Sequence, residues 1–311
     1  LDTYRIQNRG GKGIKGMQTR EEDVVTKLFL SSNHSYLLYF TDMGRVYRTK
    51  TYNIPEAGRT AKGTPVVNII EKSPEEKISE IIPVKEFSDN EYLVMVTKNG
   101  VIKKTPASEY ESIRKSGKIA ITLKEGDELI SIFKTTGNDN IFLATRNGMA
   151  ICFNENDARA VGRTASGVKA IDLADGDYVV GAEPVREDSK VLLVTDGGYG
   201  KCTDLTSFRI QHRGGKGLKA YKITEKTGNI IGISMVNDSE ELIMVTSEGV
   251  VIRIRIKDIA TTTGRITQGV RLINLNDGVI VVSMDKISAE DTVEEESEEN
   301  NTEVTAETTE E

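Results

Sequence analysis

The sequence predicts an all-β fold in which four-stranded blades repeat about an axis, a propeller-like ring, and three observations carry that prediction. An apolar run, a glycine turn and a second apolar run recur five times, with the turn glycines 56, 48, 50 and 51 residues apart. A loop rich in Gly, Arg and Lys opens the chain and follows each of these units. Helical periodicity of any length is hard to find. Repetition at about 50 residues with several short strands per unit marks radial folds, whose blades leave only short, protected sheet edges.

The first element of each unit is a hairpin. It reads "YLLYFTDMGRVYR", "YLVMVTKNGVIKK", "IFLATRNGMAICF", "VLLVTDGGYGKCT" and "LIMVTSEGVVIRI", turning at Gly44, Gly100, Gly148, Gly198 and Gly249. β-branched and aromatic residues on both sides of an X-Gly pair are a hairpin signal. The second element is the loop, "QNRGGKGIKGM", "EAGRTAKGTPVVNI", "SIRKSGKIAITL", "AVGRTASGVKAIDL", "QHRGGKGLKAYKI" and "TTGRITQGVRLINL", closing on Gly13, Gly63, Gly117, Gly167, Gly217 and Gly269. The third is an acidic turn with another short strand, as in "DELISIFKT", "GDYVVGAEPV" and "DGVIVVSMD". Each unit thus supplies about four strands per blade. Six loops against five hairpins leave the first blade incomplete at its N-terminus, so a hairpin of roughly 20 residues is expected upstream. The chain has no Trp, which argues against a tryptophan-aspartate propeller.

Composition narrows the possible functions. A chain of 311 residues, 37% hydrophobic and 29% charged, can bury a sound core. No apolar run approaches the roughly 20 residues of a membrane span. No signal peptide opens the chain either, so a cytoplasmic protein without a membrane partner is expected. The net charge of −7 hides an uneven distribution: the stretch from Asp285 onward holds 12 Asp and Glu against one Lys, which leaves residues 1–284 at +4. Residues 1–284 are therefore read as the folded body and 285–311 as a disordered acidic C-terminal tail. The tail serves solubility, or it is a tethered polyanion that competes for the basic surface of the body.

The recurring loop has a chemistry of its own. Glycine admits positive φ and close approach of backbone N–H groups to a ligand, and Arg or Lys beside it suits phosphate. In a single loop, a tight turn with solvated charges would explain the same residues. Here one register carries Arg9 and Lys12, Arg59 and Lys62, Arg114 and Lys118, Arg163 and Lys169, Arg213 and Lys216, and Arg265 and Arg271. The second hairpin strands add Arg45, Arg48, Lys103, Lys104, Lys201 and Arg253, and the second glycine-rich copy adds Gln211, Gly214, Gly215 and Gly217. Equivalent positions in a radial fold form a ring, so these residues are expected to trace a basic rim. Such a rim matches a bent duplex held through its phosphates. Cys152 and Cys202 share one repeat position and read as half-buried, unbonded strand residues.

Enzymatic chemistry finds no support. "GGKG" lacks the spacing and following Ser or Thr of a nucleotide-binding phosphate loop. With only His34 and His212 and no convergent cluster, no catalytic residue, metal site or cofactor is expected in this chain.

The stretch Gln7, Asn8, Arg9, Gly10, Gly11, Lys12 and Gly13 resembles the gyrase A box, the signature of the C-terminal domain of the DNA gyrase A subunit in the type IIA topoisomerase family. The resemblance extends over residues 1–284, through "GRVYRTKTYNIPEAGRTAKGTPVVN", "GYGKCTDLTSFRIQHRGGKGLKAYKIT" and "GRITQGVRLI". It implies a six-bladed β-pinwheel whose hairpins exchange between blades, with double-stranded DNA bent around a basic rim. It also implies partnership with the N-terminal domain of the gyrase A subunit and with the gyrase B subunit, whose ATP and Mg serve negative supercoiling outside this chain. Asn8 and His212 stand where the signature has a second basic residue, and "ESIRKSGK" lacks the Gly-Arg pair of its neighbours. Two other readings stay open: the C-terminal domain of the topoisomerase IV A subunit, which typically lacks an intact box, and a protein-interaction propeller with merely solvated charges.

Overall fold

The five predicted hairpins form because each turn is closed twice over. A Thr stands three residues before each turn glycine, and its carbonyl accepts from the glycine N–H while its hydroxyl accepts from the next amide. The hydroxyl bonds run from the amides of Arg45, Val101, Met149, Tyr199 and Val250 to Thr41, Thr97, Thr145, Thr195 and Thr246 at 3.1–3.2 Å. These threonines are buried, so the second bond satisfies an oxygen that water cannot reach.

The computed structural model describes residues 14–15, 31–55 and 63–287, and among these the secondary structure is strands with short 3-10 turns and no α-helix. Blade 1 pairs Tyr36–Thr41 with Arg45–Lys50, and blade 2 pairs Tyr92–Thr97 with Val101–Pro106. Blades 3, 4 and 5 pair Asn140–Thr145 with Met149–Asn154, Lys190–Thr195 with Tyr199–Asp204, and Glu241–Thr246 with Val250–Arg255. Each hairpin gains an inner strand from the sequence that follows it: Ile78–Val84, Leu129–Thr135, Val179–Pro184, Ile230–Val236 and Val281–Ile287 in turn. The inner strands of successive blades pack side by side from the first to the fifth.

The outer strand of each blade comes from elsewhere. Lys118–Ile119 follows the second hairpin yet pairs with the first, and Val168–Lys169, Leu218–Lys219 and Val270–Arg271 repeat this one blade further on each time. Ile14–Lys15, from the opening loop, completes blade 5. The hairpins themselves stay whole; what crosses between blades is this two-residue strand with its loop. Blade 4 carries in addition Thr261–Thr262, parallel to its second hairpin strand.

The core lies between blades. Along one strand of blade 2, Leu93 and Met95 pack on Leu38 and Phe40 of blade 1, while Val94 and Val96 pack on Ile141 and Leu143 of blade 3. Strand alternation therefore places apolar residues on both faces, which is why the hairpins read as continuous apolar runs.

Two expectations need correction. The described residues form five blades, not six. Of the opening loop, the described residues Ile14–Lys15 are the outer strand of blade 5. The loop after the first hairpin makes a 3-10 turn at Val66–Asn68 and packs Ile70 on Leu37, Tyr39 and Tyr47 of its own blade. The ordered body also extends past residue 284, because the last inner strand runs to Ile287. Lys286 holds it there: its ammonium bonds Glu183 Oε2 of blade 3 at 3.1 Å and the Met235 carbonyl of blade 4 at 2.6 Å. The residues beyond Ile287, like Gln7–Gly13, Arg59 and Lys62, lie outside the described residues.

Candidate nucleic-acid interface

The rim loops sit where they do because the hairpin glycines receive them. The Gly44 carbonyl accepts from Ala120, and those of Gly100, Gly148 and Gly198 accept from Ala170, Ala220 and Leu272. A Cβ on Gly44 would stand 2.5 Å from the Ile121 carbonyl oxygen, so the approach requires glycine. Every docked loop closes on a glycine of positive φ and continues into its outer strand.

The loops bring an array of cations to one edge of successive blades. Lys216 and Lys219 are exposed, and Lys169 is exposed with a surface ion pair to Asp172 at 2.9 Å. Arg271, also exposed, donates to the Tyr199 hydroxyl at 3.0 and 3.2 Å. That donation and Lys226 hold the Tyr199 phenol below its ordinary pKa against the opposing effect of burial. Arg45 is half-exposed and donates to the Ser116 carbonyl at 2.7 Å, while Arg48 bonds the Glu111 carbonyl and lies over the Tyr36 ring. Arg163, Arg213 and Arg265 are half-buried in their loops.

Four predicted rim residues lie inside instead. Lys103, Lys104, Lys201 and Arg253 are at most 5% exposed. At these four positions both faces of the second hairpin strand are covered by a neighbouring blade or loop, so alternation alone does not bring them to the perimeter. Lys104 pairs with Glu155 at 3.3 Å and Arg253 with Glu241. Lys103 gives its ammonium protons to the carbonyls of Ala120, Gly162 and Arg163, and Lys201 bonds those of Gly264 and Arg265. These two lysines support the rim from beneath. The cysteines at the adjacent position are free and fully buried, and burial pushes their thiols up to about 11 in Cys152 and about 12 in Cys202.

Burial, with Arg163 beside it, brings the Lys103 ammonium down from 10.5 to about 7, and burial with Arg265 brings Lys201 to about 8. Above these values the unfolded chain still holds the protons, so each lysine makes the fold gain stability as pH rises toward 10.5. Urea midpoints at about pH 6.5 and about pH 9.5 should show this rise, and the double variant Lys103→Met/Lys201→Met should flatten it.

Gln211 and the glycines behave differently from expectation. The Gln211 amide nitrogen Nε2 is buried without a hydrogen-bond partner, and its backbone N–H bonds the Cys152 carbonyl. The Gly214 N–H is committed to the Ala170 carbonyl at 2.6 Å, and the Gly215 carbonyl accepts from Asp172. These glycines shape the loop, and the Lys216 and Lys219 side chains carry its outward charge. Sequence reasoning missed Lys219 and the exposed pair Arg159 and Arg209. The signal was available: both arginines lie four residues before a loop arginine, in adjacent units.

Repeated four-stranded blades with cation-bearing loops along one edge define a basic-rimmed propeller. The chain belongs to the family described as DNA gyrase C-terminal domain, beta-propeller, whose model matches residues 1–32, 35–85, 91–136, 139–186, 189–237 and 240–288. Similar relatives include the DNA gyrase A subunit of Halalkalibacterium halodurans, 55% identical over 94% of this chain, and that of Clostridium acetobutylicum, 50% identical over 93%. The chain spans 35% of the length of each. Among solved structures, a DNA gyrase A C-terminal domain shares the fold at TM-score 0.80 and 24% identity, covering 92% of this chain and 94% of that one. The C-terminal domain of DNA topoisomerase IV matches at TM-score 0.77 and 28% identity, over 87% of this chain and 84% of that one.

Proposed function

We propose that this chain binds double-stranded DNA along its basic rim and wraps it chirally, as the C-terminal part of a cytoplasmic DNA gyrase A subunit. The wrap would present a crossover to the cleavage core, formed by the N-terminal domain of the same polypeptide with the gyrase B subunit, for ATP-dependent negative supercoiling by the complete enzyme. The observation that carries this reading is the recurrence of Lys169, Lys219 and Arg271 on the outer strands of three consecutive blades, with Lys216 beside them. Cations repeated along a curved edge suit a duplex whose phosphates recur with the helix, with affinity supplied by counterion release.

Ligation of nicked circular plasmid in the presence of the full chain tests the proposal. A linking-number shift that grows with protein is expected, and Arg9→Ala/Lys12→Ala should abolish it while leaving residual binding through the other loops. Binding without any shift in the parent protein would favour a second reading, simple DNA binding without a chiral wrap. No binding at low salt would leave a protein-interaction propeller.

A further inference from the structure

Three consecutive rim arginines make the same bond to the loop before them. Arg163 Nη1 donates to the Ile119 carbonyl at 2.8 Å, Arg213 Nη1 to that of Lys169 at 3.0 Å, and Arg265 Nη1 to that of Lys219 at 3.4 Å. Each acceptor is the second residue of an outer strand: Lys118–Ile119, Val168–Lys169 and Leu218–Lys219. In two of the three, the residue held by its backbone is the one whose exposed lysine faces outward.

Arg213 is drawn inward as well as sideways. Arg213 Nε bonds the Asp157 carbonyl at 2.9 Å, and the Asp157 carboxylate lies 3.3 Å from the Arg213 amide. Arg163 Nε is buried without a partner. The loops of Arg163 and Arg265 are in addition held from below by Lys103 and Lys201. In blade 3, beneath the Arg213 loop, the position of those lysines is Ile151, and Asp157 supplies the clamp. The Arg213 guanidinium, committed to backbone carbonyls on two sides, has lost the open fork that phosphate recognition uses.

We propose that Arg163, Arg213 and Arg265 are positioning residues that stitch each rim loop to the one before it, fixing the spacing of the outward cations Lys169, Lys219 and Arg271. On this view the lysines and Arg271 set affinity, and the arginine stitches set the path that bound DNA follows. The proposal rests on the DNA-binding reading above, but the stitch itself exists without DNA.

The experiment compares two triple variants of the full chain, Arg163→Lys/Arg213→Lys/Arg265→Lys and Lys169→Gln/Lys219→Gln/Arg271→Gln. Each phosphate contact contributes about 0.9 to the slope of log affinity against log salt. The glutamine triple should therefore lower that slope by about 2.7, if each cation makes one contact. The lysine triple keeps every charge and should leave the slope within about 1 of the parent. Its linking-number shift should nevertheless fall by half or more, because an ammonium does not reproduce the guanidinium's directed bond to the loop before it. An undiminished shift in the lysine triple would overturn the proposal, since charge alone would then suffice.

A second readout needs no DNA. In hydrogen exchange of the free proteins, Arg213→Lys should speed exchange of the amides around Val168–Lys169, and Arg265→Lys those around Leu218–Lys219. Unchanged exchange in both would refute the stitch even if DNA wraps as proposed. Faster exchange in a protein that binds no DNA would instead refute the DNA reading and keep the stitch. Should the triple variant fail to fold, the single variants carry both measurements.

Discussion

Glu155→Gln lowers the stability of the fold by about 3–5 kcal/mol, the cost of removing one partner from a buried ion pair. Glu155 is 1% exposed and faces Lys104, whose other neighbours are the Asn156 side-chain oxygen at 3.4 Å and the Tyr92 ring. Without the carboxylate, a buried ammonium in blade 2 keeps no opposite charge. The reverse change is milder. In Lys104→Met, Glu155 would still accept from the Thr135 hydroxyl at 2.9 Å and from the amides of Gly137 and Asp139 at 3.0 and 2.7 Å. Urea unfolding of both variants should reproduce that order, and equal losses would mean that the Glu155 carboxylate depends on Lys104 as much as the ammonium depends on Glu155.

Gly217→Ala should cost about 2 kcal/mol or more, whereas Gly215→Ala in the same "RGGKG" stretch should stay within about 0.5 kcal/mol. Gly217 has φ +73° and its Cβ would lie 2.4 Å from the Ala150 carbonyl oxygen, a backbone atom that cannot step aside. Nothing stands closer than 3.9 Å to a Cβ on Gly215. Because Gly217 immediately precedes Leu218–Lys219, its substitution should also free that outer strand from Met149–Ala150. The loss would show in urea midpoints and in the amide exchange of residues 218–219, with the Gly215 variant as the matched control.

The hairpins were legible because their signal is local: a Thr, two turn residues and a Gly between β-branched runs. The number of blades was less so. A loop resembling its neighbours need not become an outer strand, and Val66–Ile70 packs on its own blade instead. The rim was legible in part. Lys169, Lys216 and Arg271 are exposed as expected, since a loop residue beside a closing glycine has solvent on one side. Lys103, Lys104, Lys201 and Arg253 misled because repetition shows that positions are equivalent and not which way they face. A charge recurring on strands covered on both sides marks an internal tether as readily as a surface. Arg159 and Arg209 escaped notice because their recurrence spans only two units.

The borrowed outer strand bears on how the chain is made. When blade 1 leaves the ribosome its hairpin and inner strand can pair, but the edge of Arg45–Lys50 stays open until Lys118–Ile119 has been synthesised. Each later blade waits in the same way for the unit after it. The fifth is completed by Ile14–Lys15, which precede all five hairpins in the chain. Folding can therefore advance blade by blade yet be completed only after the last hairpin exists, and until then a segment translated before all five hairpins has no edge to join. Long-range pairing of this kind is slow, and the open edges it leaves are sites where two nascent copies could exchange strands.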